Sequence, residues 1–271
     1  MSRKLNVDKV QESLNTKRLG RCIIFSRKID STNKWAWQLA SCGAQEGTVT
    51  VAETQMSGRG RLNRQWISPA GGLWFSVILR PSLRVADACK LMFVAGLAVA
   101  KVLRKEYGLK VETKWPNDVL LRGRKVCGIL AETKTLNDNV DFVVIGIGIN
   151  VNFDANKVFI GELKETATSL MTELGKEISL NELFKLLLEA MESLYERFSM
   201  EGFGLILEEW KEYATFLGHH VQIACNAEKL WGKAVDVDRE GALILRLDNG
   251  TVRRVFAGDV SMHMKQAGQS S

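Results

Sequence analysis

At 271 residues, with 46% hydrophobic and 25% charged side chains, the chain has the composition of a globular protein with room for one large domain and a small companion. A net charge of +6 and a pI of about 9.1 favour anionic partners without separating nucleic acid from nucleotides or acidic proteins. Five scattered cysteines, three late histidines (His219, His220, His263), a polar N-terminus and no long apolar run argue against a disulfide scaffold, a zinc site, a signal peptide and a membrane span.

Residues 1–20 read as a short helix or arm, with Val7, Val10 and Leu14 at near-helical spacing, too few for a DNA-binding domain. Residues 21–25 read as a strand and 34–42 as a helix, with Asp30-Ser31-Thr32-Asn33 between them in the position of a helix cap. The β-branched stretch 47–53 predicts a strand that leads to Gln55. Between Glu53 and Asp87 lie five cationic side chains, every one arginine, and no acidic one. Arg59, Arg61 and Arg64 fall in one run, Ser57-Gly58-Arg59-Gly60-Arg61-Leu62-Asn63-Arg64-Gln65-Trp66. Arginine forks two hydrogen bonds onto a carboxylate or phosphate, and glycines at 58 and 60 let an anion approach the backbone. The bland alternative is a solvated surface loop, and the run lacks the Gly-Lys-Ser/Thr of a phosphate loop.

An apolar strand over 73–79 follows, then a helix over 86–107 from the spacing of Leu91, Val94, Ala95, Ala98, Val102 and Leu103. Residues 111–114, 119–121, 125–132 and 142–150 predict strands of one sheet. Lys114-Trp115-Pro116-Asn117-Asp118 is either a turn or a presentation of Asn117 and Asp118 to a pocket, with Asp118 a magnesium ligand beside phosphate. Lys125 is either an exposed cation on a hairpin or a partner of the arginines, with Gly128 leaving room for a flat ligand. Ile145-Gly146-Ile147-Gly148-Ile149-Asn150 fails as a dinucleotide fingerprint because Val151 follows; glycines alternating in a strand indicate close approach of a ligand. Trp66 and Trp74 flank the arginine run, as core residues or as surfaces for a purine. Ser179 and Glu182 have capping-box spacing ahead of a helix whose apolar face runs to Phe198, and a second helix spans 205–213. Short strands at 221–224, 233–237, 242–247 and 252–256, the last two joined at Asp248-Asn249-Gly250, predict a small barrel.

In order and spacing, Asp30-Ser31-Thr32-Asn33, Gln55, the Gly58 to Trp66 loop, Lys114 to Asp118, Lys125 to Leu130 and Gly146 to Asn150 together resemble a biotin protein ligase over residues 21–155, and the C-terminal strands extend the likeness by architecture. The resemblance implies an α/β (α+β) fold: a mixed sheet flanked by helices, like the class II aminoacyl-tRNA synthetase catalytic domain, over 1–215, then an SH3-like barrel over 216–271. It implies that biotin and ATP form biotinyl-AMP, with Mg2+, before a lysine of a biotin carboxyl carrier protein takes the biotinyl group. Ser31, Thr32, Asn33 and Gln55 would hold the ring and tail of biotin; Arg59, Gly60, Arg61 and Lys125 its carboxyl end; and Gly128, Leu130, Gly146 and Gly148 the slot between. Arg61, Arg64, Trp66, Trp74, Asn117 and Asn150 would face the nucleotide and Asp118 the metal, with Arg59, Arg61 and Lys125 the catalytic set. A cytoplasmic enzyme is expected, with no DNA or membrane partner and a homodimer as one possible state. A lipoate-type acyl ligase is the nearest alternative, and a basic nucleic-acid binder with strongly salt-dependent affinity a more distant one.

Overall fold

The computed structural model describes residues 4–225 and 228–261. Seven strands, β1 (Ile23–Ile29), β2 (Val49–Gln55), β3 (Leu73–Leu79), β4 (Val111–Lys114), β5 (Asp118–Leu121), β6 (Arg124–Leu136) and β7 (Asn139–Ile149), make one sheet in the order β1-β2-β3-β7-β6-β5-β4. Only β1 and β2 pair in parallel, linked through a helix, and every other neighbour is antiparallel. The sheet is therefore mixed, as expected.

The period of two in a strand divides its side chains between faces. On β7, Val143, Ile145, Ile147 and Ile149 enter the main core. They pack there with α3 (Lys90–Tyr107), α7 (Leu180–Glu201) and α8 (Phe203–Lys211), while α1 (Val7–Ser13) lies against α7. Phe142 and Val144 point the other way, against Ala36 and Ala40 of α2 (Thr32–Ser41). Gly146 and Gly148 continue that second face. The side away from α3, α7 and α8 thus loses its side chains just where β7 passes the start of α2, and a hollow results.

The predicted cap at Ser179 forms. The Ser179 hydroxyl accepts from Glu182 N at 3.2 Å, and α3 ends on Gly108 in the left-handed region at φ 63°. Strand boundaries move where pairing outlasts the apolar run. β1 begins two residues later than predicted and continues to Ile29, because its register with β2 runs from Ile23↔Val49 to Ile29↔Gln55. β6 and β7 extend past their apolar halves into an exposed hairpin whose tip holds Asn137 and Asp138 at positive φ. Three short helices, α4 (Ala155–Val158), α5 (Glu162–Thr166) and α6 (Leu170–Leu174), follow β7 and have no counterpart in the sequence reading.

A second, wholly antiparallel sheet has the order β11-β10-β9-β8-β12, with β8 (His220–Cys225), β9 (Glu228–Val237), β10 (Leu243–Leu247), β11 (Val252–Val255) and β12 (Asp259–Ser261). The Asn249-Gly250 turn joins β10 to β11 as predicted, while β12, only three residues long, was not anticipated. Val221, Ile223, Leu243 and Leu245 of this sheet belong to the same apolar cluster as Phe93, Trp210 and Phe216. Trp115 is buried, and its Nε1 donates to Gly241 O at 2.9 Å, tying the two sheets together.

Candidate active site

The hollow is a cavity of about 640 Å³. Its floor is set by cross-strand register. One lateral row runs Lys114, Asp118, Gly128, Gly148, Trp74 across β4, β5, β6, β7 and β3; the next runs Leu130, Gly146, Ser76. Glycine at these positions is a steric requirement. A Cβ on Gly146 would lie 1.9 Å from Asn33 Oδ1, and one on Gly148 would lie 2.6 Å from Trp66 Nε1.

At one end the N-terminal turn of α2 meets the strands in a polar network. Ser31 caps the helix, its hydroxyl accepting from Lys34 N at 3.5 Å, so the bland reading of this residue is correct alongside its place in the cavity wall. Gln55 Oε1 accepts from Thr32 N at 2.8 Å and from Thr32 Oγ1 at 3.1 Å, and Gln55 Nε2 donates to Ser68 Oγ at 2.8 Å. The buried Ser76 hydroxyl donates to Asn33 Oδ1 at 2.6 Å, with Thr32 Oγ1 at 2.8 Å. Asn33 Nδ2 donates to Glu132 Oε2 at 2.8 Å. These groups are fixed relative to one another before anything binds.

At the other end the arginine run is a small hairpin rather than an open loop. Trp66 N donates to Gly58 O at 2.8 Å and Gly60 N to Arg64 O at 2.7 Å, and Leu62 and Asn63 sit at φ 54° and 57° at its tip. Two non-glycine residues in the left-handed region mark local strain. Arg61 Nη1 donates to Asn117 Oδ1 at 3.2 Å and to Gly258 O at 3.1 Å, and lies 3.7 Å from Asp259 Oδ1. Arg64 also pairs with Asp259, and Arg59 Nη2 is 3.6 Å from Glu132 Oε1. The Arg61 side chain is 19% exposed, against 43% for Arg59 and 65% for Arg64. Arg61 is therefore the most covered of the three. Trp66 folds back so that its indole lies over Gly128 and Gly148, with Lys125 Nζ 5.1 Å from the ring centre. The plane resting on the slot glycines is thus a side chain of the protein itself.

Every residue expected at the site lines this one cavity except Trp74. Trp74 is fully buried, donates from Nε1 to Pro69 O at 3.0 Å and packs against Phe153 and Trp66, so its expected place beside the nucleotide is corrected to the core beneath the site. Asp118 also departs from expectation. Lys125 Nζ lies 2.7 Å from its Oδ1 and Lys114 Nζ 3.8 Å from its Oδ2. A Mg2+ ion there would have to displace two ammonium groups, and among the described residues no three His, Cys, Asp or Glu side chains converge on a metal position. These residues do not form an all-protein cage for an ion; magnesium carried on the phosphates of a nucleotide needs only one or two protein carboxylates, and Asp118 would offer one only with Lys114 and Lys125 moved aside.

Three buried side-chain atoms lack a hydrogen-bond partner among the described residues: Trp66 Nε1, Asp118 Oδ1 and Asn150 Oδ1. The close ammonium of Lys125 offers Asp118 Oδ1 charge but not hydrogen-bond alignment. All three residues line the cavity. An unmade buried hydrogen bond costs about 1–3 kcal/mol, so the expense is concentrated where a ligand would relieve it. Asn150 is otherwise committed, its Nδ2 donating to Thr168 O at 2.8 Å.

Ser68, Ser76, Glu132 and Asp259 take part in this site without having been singled out from sequence. Ser76 and Glu132 were findable, since each shares strand parity with a residue already chosen: Ser76 with Trp74, and Glu132 with Gly128 and Leu130. Asp259 had no such signal.

Residues 25–150 match the Biotin/lipoate A/B protein ligase family, and residues 216–263 match the Biotin protein ligase C terminal domain. Over 260 residues the chain is 36% identical to the bifunctional ligase/repressor BirA of Bacillus subtilis (strain 168), covering 96% of this chain and 79% of that protein. Over 224 residues it is 35% identical to the biotin--[acetyl-CoA-carboxylase] ligase of Paracoccus denitrificans, covering 81% of this chain and 92% of that one. The solved structure of the biotin protein ligase from Aquifex aeolicus in complex with biotin and ATP superposes with a TM-score of 0.76 at 30% identity, covering 89% of this chain and 98% of that chain.

Proposed function

The chain belongs to the biotin protein ligase family, and from that premise we propose how its residues carry out ATP-dependent attachment of biotin to a lysine of a biotin carboxyl carrier protein. In the first step a carboxylate oxygen of biotin attacks the α-phosphorus of ATP, the bond to the β-phosphate oxygen breaks, and pyrophosphate leaves. In the second, the amine of the acceptor lysine attacks the acyl carbon of biotinyl-5′-AMP, the acyl–phosphate bond breaks, AMP departs and the amine loses a proton. No nucleophile from the enzyme is needed.

The difficulty lies in the first step, where one anion must approach another. Fixed positive charge in a site shielded from water lowers that barrier, and removing a single preorganised group of this kind typically costs about a hundredfold in rate or more. Arg59, Arg61 and Lys125 are the groups we assign to it, with Arg64 and Asn117 toward the phosphates. Ser31, Thr32, Asn33 and Gln55 are assigned to the ring of biotin, with Gly128, Leu130, Gly146 and Gly148 as the channel for its tail. The orphaned Asn150 Oδ1 suits the exocyclic amine of adenine, a donor, and Trp66 Nε1 suits an anionic oxygen. ATP brings Mg2+ with it, and none of the roles assigned to these residues runs through the ion. We assign residues 1–215 to a catalytic domain and 216–271 to an SH3-like one, and a cytoplasmic setting to the enzyme. Among the described residues no helix is long and apolar enough to cross a membrane.

The observation that carries the choice of substrate is the polar network around Thr32, Asn33, Gln55 and Ser76. The ureido ring of biotin, with two N–H donors and a carbonyl, can exchange hydrogen bonds with such a wall; the dithiolane of lipoate has neither and cannot. Isothermal titration with the two acids tests this: biotin should bind the more tightly by at least about a hundredfold. Tighter binding of lipoate would reverse the assignment.

A further inference from the structure

Glu132 joins the two ends of the cavity. It stands on β6 with Gly128 and Leu130, on the cavity side of the sheet, at the point where the strand passes α2. Its Oε2 accepts from Asn33 Nδ2 at 2.8 Å, and its Oε1 lies 3.6 Å from Arg59 Nη2. The carbonyl end of the Asn33 amide is held in turn by the Ser76 hydroxyl at 2.6 Å. Turning that amide over would set its oxygen against a carboxylate, so Glu132 decides which end of Asn33 faces which neighbour. Arg59, flanked by Gly58 and Gly60, has Glu132 as its charged partner, and the side chains of this pair are 43% and 31% exposed. An ion pair so open to solvent is weak and readily exchanged.

We propose that Glu132 is a positioning residue with two separable tasks. One oxygen fixes the Asn33 amide that reads the ring end of the substrate; the other is the resident counter-anion of Arg59, which the substrate carboxylate must displace. The inference rests on the assignment of this cavity to biotin.

Calorimetric titration of biotin and of biotin methyl ester, which has the same ring and no acid, separates the tasks. In Glu132→Gln the amide carbonyl still accepts from Asn33 while the competing charge is gone. Affinity for biotin should then rise by up to about fivefold, the most an exposed pair is worth, with affinity for the ester unchanged. In Glu132→Ala the Asn33 amide is released, and the ester itself should bind about fivefold to tenfold more weakly, the scale of one hydrogen bond. A Glu132→Gln protein that binds biotin no better than the parent, or a Glu132→Ala protein with undiminished affinity for the ester, overturns the proposal. Arg59→Ala, measured with the same two ligands, shows which assumption has failed. If it leaves the preference for acid over ester intact, the assignment of the cavity falls and this inference with it. If it abolishes the preference while Glu132→Gln changes nothing, only the inference about Glu132 falls.

Discussion

Trp66 and Trp74 are alike in composition and flank the same charged run, yet one lines the cavity and the other lies beneath it. The difference was not visible in sequence, because it depends on Phe153, Ala155 and Phe159 covering Trp74 from a segment some eighty residues away in the chain. Most site residues were legible because their chemistry is local: alternating glycines in a strand, arginines between glycines, a proline before Asn117 and Asp118. Asp118 shows the limit of that method. The spacing put a carboxylate in the right place, but its two lysine partners come from the neighbouring strands β4 and β6 and change what it can do. At this scale Gly146 offers a sharp test. In Gly146→Ala the new methyl would meet Asn33 Oδ1 at 1.9 Å, in the middle of a hydrogen-bonded network that has little room to move. Overpacking of this kind costs about 1–3 kcal/mol, so biotin affinity should fall by at least about fivefold in a titration, with the fold retained by circular dichroism. Unchanged affinity would mean that the amide of Asn33 does not bear on the ligand.

Among the elements, long amphipathic helices and apolar strands were read correctly, since burial on one face imposes a period that side chains alone reveal. The stop of β1, the polar half of the β6–β7 hairpin and the short helices α4 to α6 escaped because backbone pairing or tertiary contact, and not an apolar pattern, holds them. The N-terminal arm illustrates how such contact works. Glu192 on α7 is buried, and its carboxylate accepts from three successive backbone N–H groups, Lys17 at 2.5 Å, Arg18 at 2.8 Å and Leu19 at 2.7 Å. A lone acid within an apolar helix face would ordinarily be unfavourable; here it satisfies a stretch of chain that joins no helix or sheet. Glu192→Ala should destabilise the protein by about 3 kcal/mol, the range for losing charged hydrogen bonds and leaving their donors buried. Urea unfolding with an unchanged slope reads this directly, and a loss below about 1 kcal/mol would show that water replaces the carboxylate without penalty.

For the molecule as a whole, the two sheets meet at the cavity. β12 supplies Asp259, which takes up Arg61 and Arg64, and Gly258 O accepts from Arg61 across a sequence separation of 197 residues. No sequence pattern announces a contact at that distance, and the importance of a three-residue terminal strand became visible only from the fold. The cations of the arginine run are consequently paired rather than isolated: Arg61 is largely covered, while Arg59 and Arg64, still open to solvent, meet the carboxylates of Glu132 and Asp259. The central claim is that Arg59, Arg61 and Lys125 together offset the repulsion between two reacting acids. Incubation with biotin and ATP, followed by mass spectrometry for biotinyl-AMP and assay of released pyrophosphate, tests it most directly. The parent protein should accumulate the adenylate, and Lys125→Ala should form it about a hundredfold more slowly or worse. Adenylate formation at the parental rate in Lys125→Ala, with the Arg59→Ala and Arg61→Ala variants equally unaffected, would contradict the account.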